Sequence, residues 1–238
     1  ELVDWAFGEE RLVFAESLFF FGGSTAGGFT PLAVNVDGAT VDSETGQIVI
    51  SLAQAGGAFD VVVTYQLAET LDGATLDKSL TLTAGPEGLL GRIYSYHDFD
   101  IDLSPAGEDT AESTVPGTLV QRGVADSFPD LALTSTAPPD AWQIDTVAPG
   151  ASLGDSLAGG DAVELDNTPG VVGPGDIESA FSWDLDLDPD EPVTGSLQHT
   201  VIMTPEPSAR LLGWVACVVL SLARRSQRGG AAGREAAA

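Results

Sequence analysis

Two runs of alternating aspartates have the residue types and spacing for chemistry. In one, Asp98, Asp100 and Asp102 alternate with Phe99, Ile101 and Leu103; in the other, Asp184, Asp186 and Asp188 alternate with Trp183, Leu185 and Leu187, and Asp190 and Glu191 follow. Side chains two apart on a strand share a face, so each run sets carboxylates about 7 Å apart on one face and apolar groups on the other. One reading is a half-buried strand whose acidic face is solvated. The other is a cation site, because calcium takes several oxygen ligands, carboxylates among them. Aspartate is disfavoured in strands and lined-up like charges repel, so such a ladder carries a cost. An EF-hand is excluded, since neither run has the glycine at its sixth position or the glutamate at its twelfth. Asp184, Asp186 and Asp188 are the candidate metal ligands and calcium the candidate ion. No other cofactor is expected.

The remaining constellations say less. His97 and His199 are the only histidines, and no spacing pairs them as in a zinc motif. His97 shares the strand parity of Ile93, Phe99 and Ile101, which predicts a buried or half-buried, hydrogen-bonded imidazole rather than a partner for Asp98. Around Ser24 the stretch GGSTAGG lacks the spacing of a nucleophile elbow and reads as a turn. Glycoside hydrolysis needs two carboxylates at a set separation, and abundance alone nominates no pair. Trp5, Trp142 and Trp183 have faces for stacking on sugars, but single tryptophans are more often core.

These residues sit in a chain patterned as strands. Strand-like segments run at 11–21, 30–36, 47–53, 59–69, 79–84, 92–103, 117–124, 131–136 and 180–188, punctuated by Asp37-Gly38, Thr45-Gly46, Gly56-Gly57, Asp72-Gly73 and Pro138-Pro139. No segment before the tail keeps a helical period beyond about two turns. Many short strands at this spacing predict an all-β fold, an antiparallel β-sandwich, rather than alternating βα units. Residues 151–175 read as a long glycine-rich loop with one short strand near 162–165.

Charge divides the chain in two. Residues 1–203 hold 34 acidic side chains against Arg11, Lys78, Arg92 and Arg122, whereas residues 204–238 hold Glu206 and Glu235 against five arginines. So acidic a body repels phosphate backbones, which excludes nucleic acid as a partner, and it attracts divalent cations or basic surfaces. The single cysteine, Cys217, rules out a disulfide framework. The tail itself reads TPEPSARLLGWVACVVLSLARRSQRG, with an apolar run at Leu211–Ala223. As a helix those thirteen residues span about 20 Å, short of the roughly 30 Å of a bilayer core. The arginines that follow would hold its end on the cytoplasmic side, leaving the acidic body outside.

Pro205-Glu206-Pro207, a short apolar segment and then Arg224-Arg225 together resemble the PEP-CTERM sorting domain. The resemblance implies bacterial export, transient retention by the C-terminal hydrophobic helix and processing by an exosortase-type enzyme, with delivery to the cell surface or extracellular matrix. It assigns Pro205, Glu206 and Pro207 as the recognition motif and Arg224 and Arg225 as the stop-transfer charge. Two positions depart from the pattern: Arg210 stands early in the helix, and Thr204 stands where an aliphatic residue is common. The chain opens at Glu1 without a signal sequence, and a leader upstream is expected from the tail. Further in, residues 93–104 and 179–202 resemble segments of exported β proteins that carry this tail, which makes Trp183 a core anchor and puts both aspartate strands in one domain.

Three segments follow: an acidic β-sandwich domain over residues 1–203, the sorting segment over 204–228 and a disordered tail over 229–238. The expected role is structural or interactive, within an exopolysaccharide envelope, with no enzyme activity. The partners expected are the processing enzyme, the membrane before processing, and exopolysaccharide. The alternative is a carbohydrate-binding module, with or without calcium. A glycan-active enzyme would need a cleft with two convergent carboxylates.

Overall fold

Between residues 59 and 65 the side chains alternate: Phe59, Val61, Val63 and Tyr65 are buried while Asp60 and Val62 are exposed. That two-residue period is what a strand with one face on a core requires. The computed structural model describes residues 2–7, 10–23, 28–42, 44–70, 73–100, 109–115, 117–122, 130–135, 137–147 and 152–202. Its strands are, in chain order, β1 (Leu2–Phe7), β2 (Glu10–Gly23), β3 (Phe29–Pro31), β4 (Val34–Asp42), β5 (Gln47–Gln54), β6 (Phe59–Thr70), β7 (Gly73–Ala84), β8 (Leu89–Asp100), β9 (Thr110–Val115), β10 (Thr118–Arg122), β11 (Asp130–Ser135) and β12 (Ala141–Thr146). A short helix, α1 (Leu153–Gly159), precedes β13 (Gly170–Val172), β14 (Ile177–Leu187) and β15 (Pro192–Ile202).

The strands form two sheets in which every pairing is antiparallel. The first runs β1-β2-β8-β14-β12, with β3 added to the end of β2; the second runs β13-β9-β10-β11-β15-β7-β6-β5-β4. Their facing sides share one core. Phe20, Leu89, Ile93 and Leu185 of the first sheet pack with Phe59, Val61, Val63, Leu76 and Leu82 of the second, and the Phe20 and Phe59 rings lie 5.2 Å apart. Each such side chain contributes about 1.5–3 kcal/mol on burial. The fold is an all-β antiparallel β-sandwich, as the strand pattern predicts.

The first sheet is also covered on its outer side, so β8 and β14 are buried on both faces. Phe21, Tyr94, Tyr96 and Ala180 pack there against Leu153, Leu157 and Leu165. This layer corrects the expectation for residues 151–175: α1 forms at 153–159, and 162–165 is not a strand. Ser152 caps the helix by accepting from the Asp155 N–H at 2.9 Å, and Gly160 ends it in the left-handed conformation at φ 92°. Gly154 lets it sit close, since a Cβ there would stand 2.7 Å from the Tyr96 ring and hydroxyl.

Other expectations also shift. Asp37-Gly38 is not a turn but lies within β4, where the register with β5 slips between Val36 and Gly38. β1, β9, β12 and β13 fall where no strand is predicted, and β15 is expected only from the resemblance over residues 179–202, not from the strand pattern. The expected C-terminal helix and tail, residues 204–238, lie outside the described residues.

Candidate functional site

A charged pair sits on the apolar side of the sandwich. On β7 the inward positions are Leu76, Lys78 and Leu82; on β2 they are Glu16, Leu18 and Phe20. The Lys78 amine contacts Glu16 Oε1, and the two side chains are 2% and 1% exposed. Because β2 belongs to the first sheet and β7 to the second, the pair bridges them. β8 supplies the rest. Lys78 Nζ donates to Ser95 Oγ at 3.2 Å, Ser95 Oγ is 3.2 Å from His97 Nε2, and that nitrogen is 3.9 Å from Glu16 Oε1. Ser95 and His97 are fully buried, and the Phe181 ring meets the imidazole edge-on at 5.9 Å between centroids. Glu16 Oε2 has no hydrogen-bond donor among the described residues.

Burial acts on these groups as it must on charge in an apolar interior. It pushes the Lys78 amine down to about 7. An arginine in that place would stay charged at any pH a protein meets. Lys78 is the only lysine of the chain; the other eight cationic side chains are arginines.

A cavity of about 170 Å³ lies over this cluster, with Lys78 and Ser95 on one wall and Leu18, Ile93, Leu80 and Leu197 nearby. Trp183, Asp140, Asp184, Thr194 and Ser196 also border it. Pockets for drug-sized ligands run to about 300–1,000 Å³, so this one takes only a small occupant. Half-buried Trp183 donates its indole N–H to the Ala137 carbonyl at 3.3 Å, and its ring lies 6.3 Å from that of Phe181.

Two further polar groups are held on the outer side of the first sheet. Arg92 on β8 is gripped in bidentate fashion by Asp184 at 2.5 and 3.2 Å, reaches Glu164 at 3.0 Å and lies 4.7 Å over the Phe29 ring. The hydrogen bond to Asp184 holds its guanidinium still further above its ordinary value. Glu178 on β14 is buried beneath α1, where it accepts from the Leu153 N–H at 2.9 Å, the Gly154 N–H at 3.3 Å and the Tyr96 hydroxyl at 3.2 Å. Burial first, and then the charges of Asp98 and Glu178, raise the Tyr96 hydroxyl well above its usual range.

The aspartate runs lie on neighbouring strands, β8 and β14, but at opposite ends of the pair: Asp184 sits across from Arg92 and Asp98 across from Glu178. Six residues of strand separate those positions, about 20 Å. Asp184, Asp186 and Asp188 are exposed, and the carboxylate of Asp184 is taken by Arg92. Among the described residues no three His, Cys, Asp or Glu side chains converge as a metal would need. Asp102 and the side chain of Asp100 lie outside the described residues, as do the side chains of Trp5 and His199. So do Pro205, Glu206, Pro207, Arg224 and Arg225, and the apolar run between them. Trp142 is buried, and His97 is buried with a hydrogen-bonding neighbour, as its parity predicts. Glu16, Lys78, Ser95, Arg92 and Glu178 are the residues that motif reading passes over. The signal for the first two is a lone charge on the apolar parity of a strand.

The fold and this interior define a class: an antiparallel β-sandwich with a small polar cluster sealed between its sheets. No known protein family and no curated protein matches the sequence. Among solved structures the chain is similar to a bacterial glucoamylase complexed with acarbose, at 11% identity and a TM-score of 0.51. The similarity covers 82% of this chain and 27% of that one, so the chain spans about a quarter of that protein's length. At this identity the likeness is one of fold.

Proposed function

We propose that this chain is an exported envelope protein, a non-catalytic β-sandwich delivered to the cell surface or extracellular matrix by its C-terminal sorting segment. The order of parts in that segment carries the reading: Pro205-Glu206-Pro207, thirteen apolar residues, then Arg224-Arg225. An apolar run shorter than a bilayer is thick suits a temporary tether better than a permanent anchor. The strongly acidic body fits an exposed, hydrated setting, where net charge maintains solubility.

The role at the surface is structural or interactive, with exopolysaccharide as the partner. Half-buried Trp183 beside Asp140 and Asp184 offers an aromatic face with polar neighbours, a combination suited to sugars. The similar glucoamylase was solved in complex with acarbose, and lends this reading the support of its fold alone.

The test is mass spectrometry of the C-terminus of the protein recovered outside a host that carries an exosortase-type enzyme. The expected product lacks the apolar run and ends near Pro207. A soluble exported chain intact through Ala238 overturns the reading.

A further inference from the structure

The sealed pair between the sheets has an organisation that an ordinary buried ion pair does not need. A buried pair of charges is expensive, and apolar residues of similar volume commonly replace one at no loss. This pair moreover uses the only lysine in a chain whose other cationic side chains are all arginine. What lysine can do in such a place and arginine cannot is shed its proton and become a nucleophile.

We propose that Lys78 and Glu16 condense to a side-chain amide, an isopeptide bond that ties β7 to β2 and so one sheet of the sandwich to the other. The geometry supplies each part. The amine touches the carboxyl group it would attack, both are sealed from bulk water, and neither has another charged partner among the described residues except His97 beside Glu16. Burial favours transfer of the proton from ammonium to carboxylate within the pair, which leaves a neutral amine and a neutral acid. Held in contact, they react as one molecule, with effective concentrations of roughly 10⁵–10⁸ M for well-oriented groups.

The step then balances as follows. The lone pair on Lys78 Nζ attacks Glu16 Cδ, forming the C–N bond and a tetrahedral centre. Ser95 Oγ, within hydrogen-bond reach of Nζ and of His97 Nε2, passes one proton from nitrogen to the imidazole. His97 Nε2 returns that proton to the Oε1 hydroxyl, 3.9 Å away, and the C–O bond breaks as water leaves. Nothing is oxidised or reduced, and no co-reactant is consumed. The water has an exit, since Lys78 and Ser95 border the cavity. Glu16 Oε2, which finds no donor among the described residues, becomes the amide oxygen. That oxygen is neutral and less costly to leave bare than a carboxylate.

Trypsin reads the result directly, because residues 12–92 contain Lys78 and otherwise end at arginines. The full chain is purified, denatured, treated with an amine-acylating reagent in one arm and digested in the other. The expected digest keeps residues 12–92 as a single peptide lighter by the mass of one water, and Lys78 takes no acyl group. Separate peptides 12–78 and 79–92 at full mass overturn the proposal. The Glu16→Ala variant is expected to regain cleavage at Lys78; loss of a water in that variant overturns the assignment of Glu16 as the partner. Conversion of newly synthesised protein, sampled after a short pulse of expression and followed by intact mass, is expected to slow about 10²–10⁴-fold in His97→Ala, the usual range for a lost general acid–base group. An unchanged rate removes His97 from the step. The wild-type digest decides the bond itself even if every variant fails to fold.

Discussion

Glu16→Ala leaves Lys78 with no carboxyl to join, and therefore as a buried free amine whose titration can be followed in stability. Burial lowers that amine to about 7 in the folded chain, against 10.5 when unfolded. Between those values the unfolded chain binds the extra proton, so stability rises with pH; below the folded value both states are protonated and the slope from this group disappears. The expected outcome is a urea midpoint for Glu16→Ala that climbs between about pH 7 and 10.5, relative to the Glu16→Ala/Lys78→Met double variant. Parallel profiles for the two would mean that Lys78 is not held in an apolar setting. Lys78 and Glu16 are each legible in the sequence as a charge on the inward parity of a strand. Their meeting is not, because it depends on which strands of opposite sheets face one another, and strand order leaves no local trace. His97 was readable from parity alone, since Ile93, two turns of the pleat away, shares its face.

At the scale of elements, α1 depends less on its own residues than on a carboxylate from the sheet beneath it. Seven residues with glycine at two positions make a helix that cannot persist alone. Two of its orphan N–H groups, those of Leu153 and Gly154, are satisfied by Glu178 of β14 rather than by a neighbour in sequence. Glu178→Ala strands those donors and the Tyr96 hydroxyl in a buried layer. The expected loss is about 1–3 kcal/mol, read as a lower urea midpoint, with α1 and the Tyr94–Tyr96 face gaining hydrogen exchange before the rest of the sandwich. A loss spread evenly over both sheets would show that the cover is not a separately stabilised layer. The same dependence explains why residues 151–175 read as loop: the stabilising partner is remote, and Gly154, which permits the close fit, together with Gly159 weakens the helical signal. Asp37-Gly38 misleads in the opposite direction. A turn dipeptide there is accommodated as a bulge because β5 pairs on both sides of it.

For the whole molecule, sandwich architecture was legible because strands such as β6 and β7 keep a two-residue period, and β8 and β14, buried on both faces where the outer layer covers them, keep it in their aspartate runs. The order of strands within the sheets stayed hidden for the reason that hid the Lys78–Glu16 pair. Net charge, by contrast, is read directly and has a consequence for the folded state. The full chain carries a formal charge of -27, and folding crowds those carboxylates onto a small surface, so self-repulsion opposes the compact form. Raising sodium chloride from about 0.01 to about 1 M shortens the Debye length from about 30 Å to about 3 Å and screens that repulsion. Few attractive pairs are weakened in return, since Arg92 and Arg122 make the only arginine–carboxylate bridges among the described residues. The melting temperature of the full chain is therefore expected to rise with salt, by about 2–4 °C for each kcal/mol of repulsion relieved. Calcium chloride at matched ionic strength separates screening from ligation. An equal rise assigns the effect to charge as a whole, whereas a larger one at millimolar calcium assigns part of it to ligating carboxylates, with Asp186 and Asp188 the first to substitute. A melting temperature that falls with salt would mean that attraction, not repulsion, dominates the surface of this acidic domain.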